Sequence, residues 1–113
     1  MKLTKPKRIS EATIQAELYM QLKLSGFECC LEYPIKLKDS SMRADVAVFH
    51  NGYVLCLIEL KSRRIGNTPN KGTRQYKKYL STGLPFCYCM HLDEIPSVLK
   101  WVNLHINILL NIN

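Results

Sequence analysis

The sequence predicts an α/β domain with a mixed central sheet flanked by helices, in the order α-β-β-β-α-β-α. Three observations predict it. Apolar residues recur at the helical period early in the chain, at Ile14, Leu18 and Leu22, and again late, from Ile95 to Leu109. Between these segments lie short runs rich in β-branched, aromatic and cysteine residues, bounded by Gly, Pro and Asn. Two of the runs flank Asn51-Gly52, the dipeptide best suited to a tight hairpin turn.

Each element follows in turn. Ser10 is placed to cap a helix that runs to about Ser25 and stops at Gly26. "FECCLEYPI" reads as the first strand, closed by Pro34 and the polar loop "KLKDSS". "MRADVAVFH" and "YVLCLIELK" are the second and third strands. In the third, Leu55, Leu57, Glu59 and Lys61 are expected to share one face and Val54, Cys56, Ile58 and Leu60 the other. Both faces are mostly apolar, so this strand should be central. "RRIGNTPNKG" reads as a loop, and a second helix runs from about Thr73 to Ser81, ending near Gly83. "PFCYCMH" is the fourth strand. A final amphipathic helix from Leu92 carries Ile95, Val98, Leu99, Val102, Ile106 and Leu109 on its buried stripe.

The chain has 113 residues, which fits one domain over 10–113 preceded by a basic arm over 1–9. Its 47% hydrophobic content is enough for a core. Sixteen Lys+Arg against nine Asp+Glu give a formal charge of +7, which points to an anionic partner, nucleic acid before a membrane surface. "MKLTKPKR" lacks the apolar run of a signal peptide, and the C-terminal tail is too polar to span a bilayer. An intracellular location, cytoplasmic or nucleoid-associated, is expected. Five cysteines, an odd number, argue against a disulfide framework. Cys87, Cys89 and His91 fall on one side of the fourth strand, but without the spacing of structural zinc sites they read as small strand residues.

Three charges inside the central hairpin need a reason: Asp45, Glu59 and Lys61. Burying charge is costly unless it is paired or holds a metal. With the turn centred on Asn51-Gly52, Asp45 should face residues 58 to 60 and meet Glu59. Two converging carboxylates repel, and a divalent cation such as Mg²⁺ or Mn²⁺ removes the conflict. Lys61 would then orient or help deprotonate a water, or stabilise charge on a phosphorane. The alternative use of the three charges is a salt bridge from Lys61 to Asp45 or Glu59. Glu11 and Gln15 fall in phase with Ile14, Leu18 and Leu22, whereas Glu17 falls on the polar flank. Gln75 and Tyr79 share a face of the second helix, where an amide and a hydroxyl can touch a phosphate, a base edge or an active-site carboxylate. Arg43, Arg63, Arg64, Lys71, Arg74, Lys77 and Lys78 surround the acids, as a polyanion-binding rim would.

Together these residues resemble the PD-(D/E)XK nuclease superfamily: Asp45, a hairpin, then Glu59-Leu60-Lys61, with Ala44 where the eponymous Pro stands. "SEATIQ" before a helix ending in "SGF" looks like the VRR-NUC branch, and "QYKKY" is similar to the QxxxY element of RecB-like nucleases. The resemblance covers about residues 10 to 90. It implies a restriction-endonuclease-like fold and Mg²⁺- or Mn²⁺-dependent hydrolysis of DNA phosphodiesters, in replication, repair or recombination. It implies metal binding by Asp45, Glu59, Glu11 and the Leu60 carbonyl, and no organic cofactor. Gln15, Gln75, Tyr79 and the basic residues would contact DNA. It implies a homodimer acting on junctions or flaps. If Glu17 were the helical acid, the chain would look closer to archaeal junction resolvases. Two other readings stand beside this one: a DNA-binding module without catalysis, and an accessory adaptor encoded by a phage or mobile element.

Overall fold

Helix α1 (Glu11–Leu24) starts where Ser10 caps it, its side chain accepting a hydrogen bond from the Thr13 N–H. In the computed structural model, which describes residues 1–4, 9–61 and 74–112, Ile14, Leu18 and Leu22 are fully buried along this helix. Gly26 (φ 87°) takes the left-handed conformation that ends it. Strands β1 (Glu28–Lys36), β2 (Ser41–His50) and β3 (Tyr53–Leu60) follow, then α2 (Arg74–Ser81), β4 (Phe86–Cys89), a 3-10 turn (Leu92–Glu94) and α3 (Ile95–Ile112). The expected order of elements is the observed one. Among the described residues no helix is long and apolar enough to cross a membrane.

The four strands lie in the order β1-β2-β3-β4. The first three are antiparallel neighbours, and β4 runs parallel to β3. This makes β3 an interior strand, as its two apolar faces require. Helices α1 and α3 cover one face, where Ile14, Leu18, Leu22, Val98 and Val102 pack with Val46, Val48, Ile58 and Leu60. On the other face Ala44, Ala47, Leu57 and Tyr79 of α2 form a smaller cluster.

Four expectations fail for identifiable physical reasons. Pro34 does not close β1: it pairs with Arg43 and the strand continues to Lys36. An edge strand tolerates a residue without an N–H. In β3, Leu55 and Cys56 both join the α1/α3 cluster, while Val54 and Leu57 pack on the other face. A bulge does this, because Val48 opposes Cys56 but Phe49 opposes Val54, leaving Leu55 unpaired. In α3, Leu109 is 39% exposed, because the helix outruns the surface it packs on. Finally, β4 stops at Cys89, so His91 is not on it; His91 caps the 3-10 turn and pairs with Asp93. All five cysteines are free thiols. Burial pushes Cys56 up to about 12 and raises Cys87 and Cys89, which leaves them as packing residues.

A second irregularity lies mid-sheet. Leu31 and Tyr33 would share a face in an unbroken strand, yet they pack on opposite faces. Ala44 and Val46 on β2 divide in the same way. Between each pair stand Glu32 and Asp45, opposite one another, and Glu32 adopts φ 53°. The left-handed region costs a non-glycine residue about 1–2 kcal/mol. Glu32→Gly is therefore expected to stabilise the protein by about 0.5–1 kcal/mol, and Glu32→Val to destabilise it by more than about 1 kcal/mol. Urea unfolding midpoints check both, and a Val variant as stable as the Gly variant would contradict this account of the kink.

Candidate active site

The face exchange sets up the site. Beyond the bulge, β2 and β3 pair in one register from Val48 opposite Cys56 to Val46 opposite Ile58. Continuing that register places Asp45 opposite Glu59. There the Leu60 N–H donates to Asp45 Oδ2 at 2.8 Å. On the other side, Gln15 Nε2 of α1 donates to the Asp45 carbonyl at 3.0 Å. Asp45 thus has its side chain and its main chain held by two different elements. A buried backbone N–H has to find an acceptor, so the Leu60 bond also locks the carboxylate in one orientation.

Glu59 is only 2% exposed and is the single buried charged residue among those described. Tyr79 Oη donates to Glu59 Oε1 at 3.0 Å, and Gln75 Nε2 donates to Glu59 Oε2. Both donors come from α2, four residues apart on one face. Burial pushes the Glu59 carboxyl up to about 9, and hydrogen bonding and charge from Asp45 push the same way. The Tyr79 bond and the Lys61 charge oppose the shift without overcoming it. Tyr79 is raised in its turn, by burial first and then by Glu59.

Among the described residues no ion pair joins Lys61 to either acid. The salt-bridge reading of the three charges therefore lacks its bond. Lys61 is half-buried just beyond β3, where its main-chain N–H donates to the Cys89 carbonyl. A cavity of about 470 Å³, lined by Met42, Arg43, Arg74, Gln75, Lys78 and Tyr79, includes the two residues that bind Glu59. Lys78 Nζ also donates to the Ser41 carbonyl at 3.0 Å, tying α2 to the start of β2. A second basic cavity, with Lys38 and Lys77 on its wall, shares Arg74 and Lys78 with the first.

Glu11, expected on the inward stripe, is exposed at the first position of α1. Glu17 is half-buried and accepts a hydrogen bond from Gln21, away from both acids. Among the described residues no group of three or more His, Cys, Asp or Glu is placed to hold a metal ion. Arg63, Arg64 and Lys71, with part of the basic arm (residues 5–8) and Thr73, lie outside the described residues. Sequence reading passed over Tyr76 and Tyr88, although the alternation of Phe86 and Tyr88 on one strand face was there to be read.

Over residues 3–108 the sequence matches the family model described as type I restriction enzyme R protein N terminus (HSDR_N). The chain belongs to that family, a restriction-enzyme-related domain. No curated protein and no solved structure matches it.

The raised Glu59 carboxyl has a consequence for stability. Its folded value lies above the ordinary carboxylate value of 4.5, so the folded state holds a proton that the unfolded state has released. Stability from this group is full below about pH 4.5 and falls as pH rises toward 9. With a chelator present, Glu59→Gln is expected to melt above wild type at pH 8, by on the order of several degrees, and to lose most of that advantage at pH 5. Thermal melts at the two pH values check it, and a gap that does not change with pH would contradict it.

Proposed function

We propose that this member of the R protein N-terminus family cleaves DNA phosphodiester bonds, with Asp45 and Glu59 holding Mg²⁺ or Mn²⁺ in the manner of the PD-(D/E)XK nucleases. One observation carries the reading: Glu59 is a buried acid facing a second acid, held by neutral donors, with no cationic side chain paired to it among the described residues. A site of that kind is unfavourable without a positive charge. The available donors suit a hard divalent cation, since both side chains offer carboxylate oxygens that keep lone pairs beyond the hydrogen bonds they accept. The Leu60 carbonyl would add a third oxygen, and Glu11 would act through water. When bound, the ion lowers the pKa of water and offsets charge on a phosphate.

The chain's own residues divide the remaining work. Gln75 and Tyr79 fix the Glu59 carboxylate, and the Leu60 N–H fixes Asp45. Water attacks phosphorus and the bond to the leaving oxygen breaks. Lys61, beside Glu59, orients that water or stabilises the charge on the phosphorane. Arg43, Arg74 and Lys78 around the cavity hold the flanking phosphates.

Asp45→Ala and Glu59→Ala are each expected to lower the Mn²⁺-dependent cleavage rate by about 10³-fold or more while leaving DNA binding. Glu11→Gln should cost about 10-fold, and Glu17→Gln almost nothing. Cleavage of labelled duplex, single-stranded, flap and junction substrates checks these, and an Asp45→Ala variant within about tenfold of wild type would remove the assignment. DNA binding without cleavage by the wild type would favour the binding-module reading. Binding should also weaken steeply with salt, and Arg74→Ala with Lys78→Ala should make the log–log slope shallower by about two units. A flat salt response would favour the adaptor.

A further inference from the structure

The exposed side of the site carries an aromatic array that the cleavage chemistry does not use. Tyr88 on β4 pairs directly with Glu59 on β3. Tyr76 on α2 is the neighbour of Gln75, which binds Glu59. The two tyrosine rings are parallel to within 7°, with centroids 6.3 Å apart. Phe86 meets both of them edge-on, at 5.3 Å from Tyr76 and 6.4 Å from Tyr88. Phe86 also stacks on Tyr79, whose hydroxyl holds Glu59. A continuous aromatic array therefore runs from the buried carboxylate to two half-buried tyrosines. Gln75 also lines the cationic cavity of Arg43, Arg74 and Lys78.

Packing alone would not call for this arrangement. Aliphatic side chains would cover Phe86 as well, whereas Tyr76 and Tyr88 put two parallel, half-buried rings with polar tips there. Aromatic faces bind nucleobases by stacking, with little regard to sequence. A base inside a duplex is already stacked on its neighbours and is reached only by unpairing it. The cationic cavity is suited to phosphates, and Tyr88 and Tyr76 stand next to the partners of the same Glu59.

We infer that Tyr88 and Tyr76 form a stacking platform for an unpaired base next to the carboxylate pair, so that the preferred DNA is single-stranded or frayed at the bound position. This deepens the cleavage reading by naming its substrate class, and it rests on that reading only for the identity of the polymer. The duplex-binding contribution comes from the cationic cavity and is separate.

The test uses the full chain with a chelator and no metal, so cleavage takes no part. A single-stranded oligonucleotide carrying 2-aminopurine is titrated, and a fully paired duplex of the same sequence is the comparison. Wild type should quench the probe in the single strand. Tyr88→Leu and Tyr76→Leu should each weaken single-strand binding about tenfold, and Tyr88→Phe should retain it. Duplex affinity should stay within about twofold for all three variants. Single-strand affinity unchanged in both Leu variants, or lost equally for duplex, would overturn the platform. Circular dichroism checks that each variant is folded. Where a Leu variant is not folded, photocrosslinking of a 5-iodouracil single strand to the unaltered protein decides: an adduct on Tyr76 or Tyr88 supports the platform, and adducts confined to other residues overturn it. Quenching together with failure to cleave under Mn²⁺ would remove the nuclease reading and keep the platform. Cleavage without quenching would do the reverse.

Discussion

The hydrogen bond from the Leu60 N–H to Asp45 Oδ2 is the interaction on which the site depends. It forms where the regular ladder between β2 and β3 ends, so a carboxylate replaces a main-chain carbonyl as acceptor. The substitution costs little, because the N–H is satisfied either way. Its effect is large in geometry: it points an acid at the position directly across from Glu59. The neighbouring strand shares in the distortion, since Glu32 stands opposite Asp45 in a left-handed conformation and the chain changes faces there. Backbone departures of this kind, at about 1–3 kcal/mol each, persist where the surrounding structure holds them, and they cluster at functional sites.

Around that fixed point the three helices have distinct tasks. Helix α1 anchors the Asp45 main chain through Gln15 and otherwise buries an aliphatic stripe. Helix α2 is short, and its one fully buried residue is Tyr79. It contributes two donors to Glu59, cations to the cavity and an aromatic ring to the rim. Helix α3 packs on the far face, away from α2 and the carboxylates. The candidate site thus sits on the thinly covered face of the sheet, and the larger core on the thickly covered one. Glu59 makes this face the costly one: a buried acid pushed up to about 9 is a group met at functional sites more often than in plain cores.

Much of this was legible in the sequence, and the exceptions have causes. Asn51-Gly52 located the hairpin and so put Asp45 across from residues 58 to 60, but the register of the turn alone would face it with Ile58, and the bulge at Leu55 moves it opposite Glu59. The i,i+4 spacing of Gln75 and Tyr79 showed a shared face but not its target, which depends on how the helix crosses the sheet. The bulge was hidden because Leu55 and Cys56 are both apolar, so no polar residue marked the slip. The kink was hidden for the opposite reason: its left-handed residue is a Glu, where a Gly or Asn would have announced it. Glu11 had the right helical phase, yet phase says nothing of whether a first-turn residue overlaps the sheet.

The central claim is that Asp45 and Glu59 form one cation site. Calorimetric titration of Mn²⁺ into the wild type and into Asp45→Ala and Glu59→Gln, without DNA, tests it most directly. The account predicts saturable binding to the wild type and loss of that binding in both variants, with each variant still folded. Equal Mn²⁺ binding by all three proteins, or none by the wild type, would contradict it.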